Sequence, residues 1–254
     1  MHKLLILLFL LFSFMKSQVA FAQQIITDRP DQTESSSTIP KASFQIETGL
    51  LFQHFKTNEP SVLNYALPGT LLRYGLTDVV ELRLANQIAY FTNELTSKNR
   101  FGISDVELGA KIQILRREDV KTEISFITHV VIPIGSKDLT INSFATINKL
   151  SIAHYLSSYM SIGYNLGYNY FGEDFGNLTY SVALGFALTK KLGFYIEPYG
   201  DYINFETILS SFDGGFTYLV QDNIQVDISY GFGTNYTMNY TAVGLSWNFA
   251  KSTP

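Results

Sequence analysis

Alternate residues of the stretch NIQVDISYGFG, 223 to 233, fall into two unlike faces. Ile224, Val226, Ile228, Tyr230 and Phe232 lie on one, and Gln225, Asp227, Ser229, Gly231 and Gly233 on the other. A period of two is the signature of a β-strand whose faces meet different surroundings. The same alternation recurs from residue 41 onward. SFQIETGLLFQ sets Phe44, Ile46, Leu50 and Phe52 against Gln45, Glu47, Gly49 and Gln53, and SDVELGAKIQI sets Val106, Leu108, Ala110 and Ile112 against Asp105, Glu107, Gly109 and Lys111. The pattern predicts strands at 41–56, 65–75, 79–91, 102–115, 120–133, 146–156, 159–170, 178–188, 192–203, 211–219, 224–233 and 240–249. These are twelve segments, and none has a helical period.

Tight connections at 76–78, 116–119, 157–158, 189–191 and 221–223 alternate with longer ones at 57–64, 92–101, 134–145, 171–177, 204–210 and 234–239. Short periplasmic turns alternating with longer outer loops are the organisation of bacterial outer-membrane barrels. The apolar face runs nearly unbroken around all the strands, more surface than the core of a soluble sandwich would need. Strands of about nine to eleven residues suit a bilayer. In lipid every backbone group must pair within the protein, which forces the sheet to close. The expected fold is all-β: a closed antiparallel transmembrane β-barrel of about twelve strands with periplasmic termini.

Composition agrees. The chain has 16 Tyr, 20 Phe and 18 Gly, which suits strands and aromatic girdles. It opens MHKLLILLFLLFSFMKSQVAFAQ, with a basic start, a short apolar run and Ala20-Phe21-Ala22 before a cut, so residues 1–22 are read as a secretory signal peptide. Removing them leaves 16 basic and 22 acidic side chains. A mildly acidic exported chain is a poor nucleic-acid binder. Absence of cysteine excludes disulfides, thiolate metal sites and a cysteine nucleophile. The remaining divisions are a polar periplasmic segment, 23–40, the barrel, 41–250, and a short tail, 251–254.

With the barrel in place, TDRPDQTESSS at 27–37, RYGLTDVVELRL at 73–84, SDVELGAKI at 104–112 and VVIPIG at 130–135 resemble the outer-membrane family named for the meta pathway of phenol degradation, the Bacteroidetes-type "transporter". The resemblance spans most of the mature chain. It implies uptake of small solutes, aromatic or hydrophobic compounds among them, and supplies no catalytic residues.

The inward face carries a candidate charged wall on the second to fifth strands. Mirroring about the tight turns sets Arg73 opposite Glu81 and Lys111 opposite Glu123, with Arg83 near Glu107. Cross-strand opposite charges stabilise a sheet by about 0.2–1 kcal/mol per pair. Asp105, Asn165, Asn169, Asp213 and Asp227 also face the lumen. Later strands present small residues inward, such as Gly163, Gly167, Ala183 and Gly185. An off-centre passage between the two walls is expected, favouring cations or neutral solutes. Tyr195, Glu197, Tyr199 and Asp201 form a candidate stripe for a cationic or hydroxylated aromatic solute, with rim tyrosines and solvated acids as the plainer reading.

Residues 23–40 do not alternate and carry Pro30 and Pro40, so they cannot form a lipid-facing strand. They are expected to be a loose periplasmic tail, or else a small plug in the barrel mouth. No histidine has a serine two residues away on its own strand face, which argues against a phospholipase-like enzyme. Scattered histidines and in-strand glycines argue against metal and phosphate sites. The expected function is passive diffusion of small solutes, non-enzymatic and without cofactors, with membrane lipid, solute and the barrel-assembly machinery as partners. A non-conducting structural or surface-interaction barrel is the alternative.

Overall fold

The computed structural model describes residues 25–56, 61–93, 99–117, 119, 121–172 and 176–249. The signal peptide and the C-terminal tail read from the sequence lie outside them. Thirteen strands follow in order: β1 (Phe44–Lys56), β2 (Ser61–Gly75), β3 (Val80–Asn93), β4 (Asn99–Ile103), β5 (Val106–Arg117), β6 (Thr122–Ile132), β7 (Ala145–Tyr155), β8 (Met160–Tyr170), β9 (Asn177–Ala187), β10 (Leu192–Ile203), β11 (Thr207–Gln221), β12 (Ile224–Gly233) and β13 (Thr237–Phe249).

Each strand pairs antiparallel with its neighbour, and β13 returns to β1 in register from Phe44↔Phe249 to Lys56↔Thr237, closing the sheet. Closure removes the unpaired edges that lipid would not satisfy. The barrel has twelve staves, because β4 and β5 together form the fourth: both pair with β3, and the break falls at Ser104–Asp105. The Asp105 carboxylate accepts hydrogen bonds from the amides of Gly135 and Ile141, each at 2.8 Å. It therefore anchors the β6–β7 loop at the break.

The wall is inside out relative to a soluble protein. On β12 Gln225, Asp227, Ser229 and Gly231 are buried, while Val226, Ile228, Tyr230 and Phe232 are exposed. The largest fully buried side chains include Arg73, Lys111, Gln45, Glu47, Glu81 and Glu197. Lipid is the only partner that makes such an apolar exterior stable. Aromatic rings gather at both rims, with Phe44, Trp247 and Phe249 at the tight-turn end and Phe52, Tyr65 and Tyr90 toward the other. Ile228, 49% exposed near the middle of β12, tests this orientation. Ile228→Arg is expected to cost about 2–4 kcal/mol of barrel stability, the midplane penalty for a cation, in urea titrations of folding into vesicles.

Of the two forms expected for the segment before β1, tail or plug, the structure has the plug. Ile25 donates its amide to the Asp222 carbonyl at 2.8 Å, which places the entry at the tight-turn end. The chain rises to mid-barrel by Arg29, whose guanidinium lies over the cross-strand pair Gly49↔Gly244. A Cβ at either glycine would collide with it. The chain then descends, and Ala42 and Ser43 hydrogen-bond the Gly75 backbone before β1 begins. Residues 25–43 are thus a re-entrant loop in the tight-turn half of the lumen.

Candidate functional site

The site is the interface between this loop and the inner wall. Its centre is Asp28. Lys111 Nζ reaches the two Asp28 oxygens at 2.8 and 2.9 Å, Arg83 Nη1 approaches at 2.6 Å, and Arg73 Nη1 lies 3.5 Å away. Three cations from three neighbouring strands converge on one carboxylate. Arg73 also donates to Glu81 from Nε and Nη2, both at 2.8 Å, and to Glu47 at 2.7 Å. Glu34 completes the set, accepting from Arg83 at 2.5 Å and from Lys149 at 2.8 Å. Arg73, Arg83, Lys111 and Lys149 thereby face Asp28, Glu34, Glu47 and Glu81, four bases against four acids. Buried charges persist only when paired and hydrogen-bonded in this way.

The inward charges are present, but their partners differ from those mirror symmetry suggests. Arg73 stands opposite Arg83, and Glu81 reaches Arg73 diagonally. Two like charges face each other across the ladder, an arrangement that Asp28 makes tenable. Lys111 stands opposite Ile127 on β6 and opposite Glu81 on β3, whereas Glu123 pairs with Arg116. The ladder continues beyond Arg116↔Glu123 to Arg117↔Thr122, so its axis lies nearer 119 than 117. Glu123 accepts from Ser37 and, at 3.4 Å, from Ser36. Arg83 and Glu107 are joined through His129, whose Nε2 accepts from Arg83 and whose Nδ1 lies 2.9 Å from Glu107.

The opposite wall bonds the loop mainly through neutral donors. Glu197 accepts from the Gln32 amide at 2.6 Å and from the Thr33 hydroxyl, which also reaches Ser181. Asn165 brackets Glu34, accepting its amide at 2.8 Å and donating to its carbonyl at 3.1 Å. Arg29 pairs with Asp227 at 3.0 Å. Tyr240 donates to Asp213. Of the candidate stripe, Tyr195 and Glu197 are buried, Tyr199 packs on the Met238–Tyr240–Ala242 cluster, and Asp201 is half-buried further up β10. Asn169 has a buried Oδ1 with no hydrogen-bond partner.

Sequence reasoning assigned no role to Asp28, Arg29, Gln32, Thr33 and Glu34, nor to Lys149 and Tyr240. A signal existed. The inward bases Arg73, Arg83 and Lys111 cluster on adjacent strands, and an acidic, non-alternating segment carrying Asp28, Asp31 and Glu34 precedes the first strand.

Burial pushes the Asp28 carboxyl up, but Arg73, Lys111 and Arg83 outweigh it and hold the group well below the usual carboxylate range. Glu34 is likewise lowered, its burial outweighed by Lys149 and Arg83. A depressed carboxyl stabilises docking at pH above its free value, about 4, and that stability is lost as pH falls through the docked value. Acid is therefore expected to free the loop from the basic wall. Planar-bilayer recordings from pH 7 down to about 3 should show conductance rising only at the acid end.

Two cavities meet the loop from opposite sides. One of about 420 Å³ opens toward the long loops, lined by Thr70, Gln87, Glu107 and Ile141, and ends on Arg29. Another of about 330 Å³ opens toward the tight turns, lined by Tyr159, Ser161 and Tyr195, and also ends on Arg29.

A closed twelve-stave barrel with a polar interior and an apolar exterior is a bacterial outer-membrane β-barrel. The family described as "Putative MetA-pathway of phenol degradation" matches residues 27–249, and the chain belongs to it. Among solved structures, the KdgM porin in complex with disordered oligogalacturonate aligns with TM-score 0.55 and 10% identity, covering 81% of this chain and 99% of that one. The NanC porin aligns with TM-score 0.51 and 9% identity, over 79% and 98%. At that identity the likeness concerns the fold alone. Among curated proteins none matches.

Proposed function

We propose that the barrel passes small solutes passively across the outer membrane, and that the loop 25–43 holds it closed at rest. One observation carries this reading: the two cavities run toward each other from opposite ends of the lumen and stop on the two sides of Arg29. A barrel filled only for strength would have no need of a space at each mouth. The loop that divides them is held by polar contacts that water can replace, unlike an apolar core. Diffusion is the mechanism, and the inner wall selects by charge and width. The family and the porin fold support this role. Small cations and neutral molecules, aromatic compounds included, are the solute classes we favour, and we read the protein as non-enzymatic.

A permanently sealed structural barrel is the second reading. Complete burial of Arg73 and Lys111, both 0% exposed, favours it. Planar-bilayer recording of the refolded mature chain separates the two. Brief, infrequent, cation-preferring openings are expected, and a silent membrane at all voltages and at acid pH would favour the seal.

A further inference from the structure

On the wall away from the bases, Glu197 and Asp213 are direct cross-strand partners, 0% and 1% exposed. Cross-strand partners hold their Cβ atoms about 5 Å apart, so the two carboxyl groups share one pocket of the wall. Two ionised carboxylates enclosed side by side repel and find no donor in each other, so the pair is stable with one of them protonated. The other contacts are saturated. Glu197 accepts from Thr33 on one oxygen and from the Gln32 amide on the other. Asp213 Oδ2 accepts from Tyr240, while the buried Oδ1 has no hydrogen-bond donor within the protein. That oxygen is the one left to share a proton with Glu197.

Among the described residues, the groups facing the pair offer no cation to take the proton's place. The loop contributes Asp31 and, beyond it, Asp28; β10 contributes Tyr195 and Tyr199; β13 contributes Tyr240, with Tyr236 just before it. Arg29, the nearest base on the loop, is engaged by Asp227. Burial and the adjacent Glu197 and Asp213 push the Asp31 carboxyl well above the usual carboxylate range. The room for this arrangement is built in. A Cβ at Gly231 would crowd Asp213 and Tyr240, and one at Gly215 would crowd the Tyr195 ring.

We propose that the Glu197–Asp213 pair is a proton-binding site that latches the loop to β10 and β11, so that losing the proton releases this flank and opens the barrel. The chemistry is a proton shared between two carboxyl oxygens, passed to solvent as hydroxide rises. Once both groups are ionised they repel each other, and Glu197 is drawn away from Thr33 and Gln32. The latch is the alkaline counterpart of the basic wall, which acid weakens. It deepens the reading of the loop as a gate, and its test separates the two.

Because the chain has no cysteine, Gln32→Cys permits a single nitroxide label on the loop of the full mature protein. The label reports docking whether or not the barrel conducts. In detergent its spectrum should be immobile at neutral pH and become mobile as pH rises, with infrared loss of a protonated-carboxyl band over the same range. Asp213→Asn is the decisive variant, because its amide donates to Glu197 without a titratable proton while its carbonyl still accepts from Tyr240. It should keep the label immobile across that range, lack the band, and reduce alkaline opening by about tenfold or more, the worth of a hydrogen bond to a charged group. Glu197→Gln presents an amide where the loop needs an acceptor, and should be mobile already at neutral pH. Alkaline release that persists unchanged in Asp213→Asn, or a wild type without the band, would overturn the latch. A mobile label in a barrel that still passes no current would leave the latch standing and reject the gate.

Discussion

Deleting residues 25–38 is expected to raise single-channel conductance several-fold and to make the open state continuous. The loop fills mid-lumen at Arg29 and joins the basic wall of β2–β7 to the acidic wall of β10–β13. Twelve staves lie between the eight-strand size that wall side chains fill and the wide aqueous porins. Here the loop rather than the wall supplies the filling: Thr33 comes to 3.3 Å from where a Cβ of Gly163 would stand. Without it the walls retain Arg73, Arg83, Lys111 and Lys149 on one side and Glu197, Asp213 and Asp227 on the other. Water entering the lumen would solvate these groups, so their loss of partners costs less than in a dry core. The lipid-facing surface and the β1–β13 closure are untouched, so the barrel should still form. Bilayer recordings of the truncated and full chains side by side make the comparison. Equal currents would show that the loop does not obstruct the path, and silence from both would favour the sealed barrel.

Much of the wall was legible because a lipid-facing sheet has to alternate. Every strand overlaps one of the twelve predicted segments, and the alternation at Ile224–Phe232 told lipid from lumen. The segment expected at 102–115 runs together the end of β4 and most of β5, because the break at Ser104–Asp105 is only two residues long. Register was less legible than facing. Mirror symmetry depends on where the turn is centred: an axis near 119 rather than 117 moves Glu123 from Lys111 to Arg116, and the bulge between Gln113 and Leu115 shifts the partner of Lys111 by only one residue. The loop was the hardest part, because its order comes from contacts with eleven different strands and leaves no periodic trace in its own sequence. What remained visible was a cluster. Arg73, Arg83 and Lys111 faced inward together, and a lumen open to water would keep them ionised, whereas a closed one needs acids close enough to enclose all three. The segment containing Asp28 and Glu34 was the available source, and weighing it as the counter-charge of that wall, rather than as a polar tail, would have placed it inside.

Asp28→Asn is the single substitution expected to disturb the gate most. The carboxylate is fully enclosed and accepts from Lys111 and Arg83 while neutralising Arg73 at 3.5 Å. An asparagine keeps the volume but removes the charge, and its amide hydrogens would point at cations. Breaking a buried ion pair from one side typically costs about 3–5 kcal/mol, because the surviving charges stay buried and uncompensated. Three survive here. A penalty of that size moves a docking equilibrium by about two to three powers of ten or more, so the variant's loop should spend far more time released. Reversal potentials in a salt gradient should shift toward anions, since Arg73, Arg83 and Lys111 would then outnumber Glu47 and Glu81. Arg117→Gln is the control, removing an exposed rim pair with Asp119 that is 53% and 61% exposed and worth at most about 1 kcal/mol. Adding Lys111→Met to Asp28→Asn withdraws one of the stranded cations and should restore part of the closed population, a coupling expected only of groups in direct contact. Opening as rare in Asp28→Asn as in the wild type would mean that the charges around Asp28 do not hold the loop, and closure would then have to rest on the carboxyl wall across the lumen.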